Sequence, residues 1–273
     1  MPELPEVETI VRDLAPLLAG RRIARARLHH ADVLDGVTRA ALLQGLAGAR
    51  FTELSRRAKH AVLHTDRRRL VIQPGMTGAL FVKRTLDPDD RRYAVLEARL
   101  DDGRTLVYHD VRRFGTIRWL DEQGWASYSA AIGPEPLADD FDAAGLGRVL
   151  RGSRAAVKKV LMDQRRLAGV GNIYANEALF AAGIDPSKEA RRLRPADHAR
   201  LHRELVRILD SAVRAQGTTV RDYRTGTGEP GNFQLDLLVY DRAGEPCRRC
   251  GTTLTGTHAI DARITVFCHR CQR

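Results

Sequence analysis

The chain has 273 residues, 43% of them hydrophobic, and carries 45 Lys plus Arg against 34 Asp plus Glu, a formal net charge of +11. That length suits one large or two to three small globular cores, and the basic excess points to a polyanion, nucleic acid before an anionic membrane surface, with an ordinary basic enzyme as the alternative. No apolar stretch approaches the roughly 18 residues of a spanning helix and no basic start leads into an apolar run, which excludes a helical membrane protein and a secretory signal and leaves a cytoplasmic location expected.

The first residues read Met1-Pro2-Glu3-Leu4-Pro5-Glu6-Val7-Glu8. Removal of Met1 leaves Pro2 with a free secondary amine beside Glu3 and Glu6. Attack of such an amine on an aldehyde carbon gives a cationic iminium, because the nitrogen has no second proton to lose, and that cation is an electron sink for elimination. An α-amino group titrates near about 8, so part of it is unprotonated at neutral pH. The other reading is that Pro2 and Pro5 only start a helix. Val7, Ile10, Val11, Leu14, Leu17 and Leu18 follow at helical spacing with Gly20 as a stop, and Pro16 is expected to kink or shorten the end.

From about 23 to 120 short β-type runs predominate, at 61–64, 70–72, 79–82, 94–100, 105–108 and 116–120, separated by turn signals such as Asp102-Gly103. This pattern predicts an antiparallel sandwich. Gly133-Pro134-Glu135-Pro136 ends it, and helical periodicity then predicts helices around 157–161, 173–182 and 201–213. The stretch 217–233, polar and rich in Gly and Thr, reads as a mobile loop.

All four cysteines, Cys247, Cys250, Cys268 and Cys271, fall in the last 27 residues as two C-x-x-C pairs separated by 17 residues. In a reducing cytoplasm this spacing predicts a tetrahedral thiolate zinc, a closed structural site, with two disulfides or an iron site as alternatives. Gly169-Val170-Gly171-Asn172 precedes a predicted helix that Asn172 would cap, which suits either an anion site or a plain helix-starting turn. Arg112-Arg113-Phe114 pairs cations with an aromatic, suited to phosphate contact and base-stack wedging or to a solvated edge beside a core Phe. Ser55-Arg56-Arg57-Ala58-Lys59-His60 is a basic run before a strand, either surface or a lysine for phosphate and acid–base work.

Taken together, the opening octapeptide, Arg56-Arg57-Ala58-Lys59, Gly75-Met76-Thr77-Gly78, Arg112-Arg113-Phe114-Gly115, the run from Gly169 to Glu177, Tyr240-Asp241-Arg242-Ala243-Gly244 and the paired cysteines resemble the bacterial formamidopyrimidine-DNA glycosylases over essentially the whole chain. Leu4 and Val7-Glu8-Thr9 are closer to the oxidised-purine branch than to the endonuclease VIII branch. The resemblance implies an α+β multidomain fold: an N-terminal antiparallel β-sandwich (1–132), a helix–two-turns–helix domain (133–240) and a C-terminal zinc-finger hairpin (241–273), with DNA in the cleft between the halves. It implies a bifunctional glycosylase and abasic-site lyase of base excision repair, acting on 8-oxoguanine and formamidopyrimidines in duplex DNA by β,δ-elimination, as a nucleoid-associated monomer with no protein partner implied.

By the same similarity Pro2 attacks C1′, Glu3 handles protons at the sugar and Glu6 supports hydrolysis and elimination. Lys59 assists β-elimination and Arg263 δ-elimination. Met76, Arg112 and Phe114 fill the void left by a flipped nucleotide, while Arg154, Lys158 and Asn172 contact the backbone near the lesion. The loop 218–233 would close over the extruded base. Gln73, Val111, Tyr93 at the place of a DNA-contacting His, and a cysteine gap one residue longer than usual depart from the family pattern. A non-catalytic DNA-binding protein and a pyrimidine-preferring glycosylase stay open as rivals.

Overall fold

The computed structural model describes residues 1–219, 225–226 and 231–273. The predicted loop 217–233 therefore lies partly outside the described residues. Helix α1 (Leu4–Leu18) has Glu3 as its N-cap, Pro5 in its first turn and a reciprocal capping box between Glu3 and Glu6. Its face of Val7, Ile10, Val11, Leu14 and Leu18 is buried against the strands, each fully buried large apolar side chain contributing about 1.5–3 kcal/mol. Pro16 does not stop the helix, contrary to the expected shortening. In the last turn Pro16 takes one N–H out of the ladder, at the carbonyl of Arg12, but only Leu17 and Leu18 follow it in the helix and Ala19 N still bonds Ala15 O; Gly20 at φ +77° then turns the chain away.

Strands β1 (Ile23–Leu28), β2 (Phe51–Arg57), β3 (His60–Thr65), β4 (Arg69–Gln73), β5 (Gly78–Lys83), β6 (Ala94–Leu100), β7 (Thr105–Asp110) and β8 (Thr116–Leu120) follow. They form two four-stranded sheets, ordered β1-β6-β7-β5 and β2-β3-β4-β8, with antiparallel pairing throughout. The expected sandwich is what forms. Leu28, Phe51, Leu63, Ile72, Leu96 and Tyr108 belong to the core it shares with α1, and α1 packs on β2, β3 and β5. Three short helices, α2 (Arg39–Leu46), α3 (Pro88–Arg92) and α4 (Glu122–Ala130), complete the region.

Helices α5 (Ala143–Leu150), α6 (Val157–Met162), α7 (Asn172–Ala182) and α8 (Pro195–Arg214) replace strands after the Gly133-Pro134 break. The stripe Leu201, Leu205, Ile208, Leu209, Ala212 and Val213 of α8 is buried, and α8 packs on α5 and α7. Helix α7 is buried on nearly all sides, from Tyr174 to Phe180. The chain ends in a hairpin of β9 (Thr255–Thr257) and β10 (Thr265–Phe267), set on α7 by a small cluster of Phe180, Val239, Leu254 and Val266. Two compact units result: Met1–Ala130 with Ala215–Gln234, and Ala131–Arg214 with Leu235–Arg273. Residues 215–234 thus group with the sandwich, and the cysteine segment groups with the helices. Among the described residues no helix is long and apolar enough to cross a membrane.

Candidate functional site

In the first unit Pro2, Glu3 and Glu6 are all buried at the start of α1. The Glu6 carboxylate accepts from Glu3 N (2.8 Å) through Oε2 and from Thr218 N (2.8 Å) through Oε1. A residue of the helix's first turn thereby fixes the backbone next to Pro2 and the beginning of 215–219. Met1 is exposed, and its sulfur accepts from the Gln73 amide at 3.8 Å, which places the N-terminus beside the end of β4.

Lys59 lies in the two-residue turn joining β2 to β3, with Arg57 paired to His60 across it and Ala58 in the left-handed region at φ +52°. It is only 4% exposed. The turn is tied down from several sides. Arg56 donates to Glu8 Oε2 of α1 (2.9 Å) and to Ala58 O (3.0 Å), and Arg57 donates to Ser129 Oγ (3.1 Å) at the end of α4. His60 Nδ1 is 3.0 Å from Arg57 O and Nε2 is 2.8 Å from Tyr128 Oη. A carbonyl only accepts, so Nδ1 carries the proton and Nε2 takes the tyrosine hydroxyl. Burial pushes His60 down to about 4 despite the Arg57 carbonyl, with Arg118 and Arg57 adding to the fall, and the ring is neutral at physiological pH.

Met76 and Phe114 are exposed, at 45% and 62%, which is unusual for such side chains. Arg112 lies over the Phe114 ring, its guanidinium carbon 4.5 Å from the centroid. The two loops bearing these residues are joined by Asp110, the buried last residue of β7. Asp110 accepts from Thr77 Oγ1 (2.6 Å), Tyr108 Oη (3.0 Å) and Gly115 N (3.1 Å), and Thr77 Oγ1 in turn accepts from Arg112 N (3.0 Å). A Cβ on Gly75 would lie 2.5 Å from Asp110 Oδ2, and one on Gly115 would overlap Tyr108 Oη, so both positions require glycine. Sequence reasoning missed Asp110; its signal is a lone acid ending a strand just before a cationic loop. Tyr93 caps α3 and packs edge-on against His109 at 5.5 Å, one strand from these loops.

In the second unit Arg263 lies exposed in the turn between β9 and β10, its backbone N–H on Asp261 Oδ1 (3.0 Å). Lys158 is 0% exposed. Its ammonium donates to Ile264 O (3.2 Å) and Thr265 Oγ1 (2.7 Å), directly after Arg263. The Asn172 amide also donates to Ile264 O (3.2 Å). Asn172 is the first residue of α7 and not its cap, which is Gly171; the side chain is turned to the hairpin, so it cannot serve the helix's own N–H groups. Asn176 and Glu177 continue this face and were not foreseen. Asn176 accepts from Val266 N (3.2 Å), and buried Glu177 accepts from the backbone of Leu238, Val239 and Tyr240 at 2.8–2.9 Å. Burial still raises the Glu177 pKa above the usual carboxylate range, the three N–H groups pulling the other way. Arg154 is exposed ahead of α6.

The ligand atoms of Cys247, Cys250, Cys268 and Cys271 lie within 4.8 Å of one another, and Cys250 and Cys268 sulfurs are 3.5 Å apart. These are not disulfide distances of about 2.05 Å. Four sulfurs each about 2.3 Å from one centre would be about 3.8 Å apart, so the set fits a tetrahedral metal ion. Arg249 N–H points at Cys247 Sγ (3.4 Å), as a turn around a metal-bound thiolate requires, and Gln272 links Cys268 N (2.9 Å) to Ile184 O (2.9 Å).

A family model described as the formamidopyrimidine-DNA glycosylase N-terminal domain matches residues 1–117, and one described as the formamidopyrimidine-DNA glycosylase H2TH domain matches 132–224. The chain is 41% identical over 273 residues to the formamidopyrimidine-DNA glycosylase of Stutzerimonas stutzeri, all of both chains being covered. It is 42% identical to that of Chloroflexus aurantiacus, covering 100% of this chain and 98% of the relative. Among solved structures, a Lactococcus lactis Fpg mutant in complex with Fapy-dG-containing DNA superposes with a TM-score of 0.92 at 33% identity, covering 100% of both chains. The MutM (Fpg) protein of Thermus thermophilus gives 0.88 at 36% identity, covering 99% of this chain and 98% of that one.

Proposed function

The chain belongs to the formamidopyrimidine-DNA glycosylase family, and from that premise we propose that it removes damaged purines, 8-oxoguanine and formamidopyrimidines, from duplex DNA and then cleaves the strand at the abasic sugar. The observation that carries this reading is the burial of two carboxylates, Glu3 and Glu6, beside Pro2 at the start of a fixed helix. Buried acids next to an amine are costly for binding alone and useful for moving protons.

Once Met1 is removed, the Pro2 nitrogen forms a bond to C1′ as the bond to the damaged base breaks and the base leaves protonated. Loss of the amine proton then lets the nitrogen lone pair expel O4′, which takes up a proton as the C1′–O4′ bond breaks; the resulting iminium acidifies the C2′ hydrogens, loss of one expels the 3′ phosphate, and a second elimination expels the 5′ phosphate. Glu3 exchanges protons at the sugar. Glu6, both of whose oxygens take backbone N–H groups, holds Pro2 and residue 218 in register and supports the hydrolytic and elimination steps. Lys59 serves the first elimination and Arg263 the second.

Met76, Arg112 and Phe114 enter the space left by the extruded nucleotide, compensating unstacking. Asn172, Arg154 and Tyr93 are assigned backbone contacts. Lys158, fully buried, is assigned a positioning part beneath Arg263. Cys247, Cys250, Cys268 and Cys271 would hold a zinc ion, which would cross-link this hairpin as a structural site and not act on substrate. The functional modules are 1–132, 133–240 and 241–273, acting as a monomer in the bacterial cytoplasm at the nucleoid.

Borohydride trapping on a lesion duplex tests the reading. Wild-type protein should give a covalent adduct, and Pro2→Gly or retained Met1 should give none while binding an abasic-analogue duplex. Full adduct yield from the blocked protein would move the nucleophile to a lysine and overturn the assignment.

A further inference from the structure

The sheet β1-β6-β7-β5 presents its outer face at Arg25 and Arg27 of β1 and Glu97 and Arg99 of β6, while Leu28, Leu96, Ala98 and Leu100 turn inward to the core. With Arg84 after β5 and Arg91 of α3, these side chains line a groove of about 420 Å3. Arg25 stands directly opposite Arg99 across the ladder, and Arg27 opposite Glu97. Like charges so placed repel each other, and among the described residues no carboxylate pairs with either. Glu97 is already engaged by His29 at 3.0 Å. Among the described residues, Arg25, Arg27, Arg84, Arg91 and Arg99 have no carboxylate partner; Arg91 donates to the Leu86 carbonyl.

The groove lies away from the wedge loops. Thr105, which lines it, opens β7, whereas Asp110, which joins those loops, closes it, on the order of 17 Å along the strand. Cross-strand neighbours are about 5 Å apart and same-face neighbours along a strand about 7 Å, so the arginines form a fixed array of forks. A duplex offers a phosphate charge about every 1.7 Å of axis, enough to meet several of them at once. Leu86 is the one large apolar side chain in the lining, which leaves no anchor of the kind a protein partner uses.

We propose that this face is a second DNA-binding surface, which grips the phosphate backbone of an undamaged duplex segment while the first site is engaged on another. The inference rests on the DNA reading above. Its use is transfer between segments during search: a protein held at two places can exchange one duplex for the next without passing through free solution.

The test fills the first site covalently. Wild-type protein is trapped with borohydride on a short lesion duplex carrying one dye, and a short undamaged duplex carrying another is titrated in. Failure to trap would count against the glycosylase reading alone. With trapping intact, capture of the second duplex should fall at least about tenfold in Arg25→Ser/Arg99→Ser, and the log–log salt slope of that step should shrink by about 2, while adduct yield stays at the wild-type level. Arg84→Ser/Arg91→Ser, outside the ladder, should weaken the same step and covers any misfolding of the strand variant. No capture by the wild-type adduct, capture unchanged in both variants, or capture of polyglutamate in place of the duplex would overturn the proposal.

Discussion

Lys158 and Asn172 meet at one atom: the ammonium of the first and the amide of the second each lie 3.2 Å from the carbonyl oxygen of Ile264. That carbonyl follows Arg263, so an exposed arginine rides on a backbone held by two buried donors. Lys158→Met keeps the bulk and removes the ammonium, leaving Asn172 to hold the carbonyl and Thr265 Oγ1 without its donor. A stability loss of about 1–3 kcal/mol is expected in a denaturant melt. At an abasic site, gel analysis of products should show β-elimination intact and less δ-product. An unchanged product ratio would separate Lys158 from the work assigned to Arg263.

The wedge should be separable from the chemistry. Arg112→Ala/Phe114→Ala should strongly reduce excision of a paired 8-oxoguanine and do much less harm at a preformed abasic site, where no base needs extracting. Asp110→Ala should reproduce that selectivity through the loops it joins, and should also cost about 3 kcal/mol by stranding buried donors. Parallel single-turnover assays on the two substrates check both variants; equal losses would make these residues part of the general grip or the fold.

The strands from 60 to 120 were legible as short apolar runs cut by turn signals, and α8 by an apolar stripe at helical spacing, whereas α7, buried on nearly all sides, was legible by length and not by a stripe. The edge strand β1 was not, because its outward face is arginine and its signal is half a strand's worth. Of the candidate site, what could be read was residue chemistry at a terminus and at motif spacings: Pro2 with its acids, Lys59, the four cysteines. What could not be read were groups that act by joining distant segments. Asp110 meets Thr77, Glu6 meets Thr218 and Glu177 meets 238–240, and a linear pattern carries no mark of such pairs. Asn172 shows the same limit in reverse, since local reasoning made it a cap while the tertiary hairpin took its amide.

The metal should hold the second unit's hairpin together. Purified protein is expected to contain about one zinc per chain, and Cys250→Ser should lose both the metal and duplex affinity. Elemental analysis and a binding titration check this. Reactive thiols at all four positions together with normal affinity would contradict a structural ion.

His60 makes stability depend on pH. Its native pKa, near 4, lies below the ordinary value of 6.5. Between those values the unfolded chain takes up a proton that the native protein refuses, so the contribution is whole above about pH 6.5 and fades as pH falls toward 4. The full swing is on the order of 3 kcal/mol. His60→Gln should flatten this part of the stability–pH curve in urea melts taken from pH 7 to 4. The same variant loosens the Lys59 turn, and its elimination rate at pH 7 should drop while trapping persists.

The first unit is written in two pieces, Met1–Ala130 and Ala215–Gln234, with the whole helical stretch Ala131–Arg214 between them. During synthesis from the N-terminus, the sandwich emerges and can collapse long before its last piece exists. Until then the Glu6 oxygen lacks the Thr218 N–H, and the start of α1 waits for a partner that arrives after most of the chain has left the ribosome. The order of translation thus makes the setting around Pro2 among the last parts of this unit to be completed, and a nascent chain stopped before residue 215 would carry the amine without its finished surroundings.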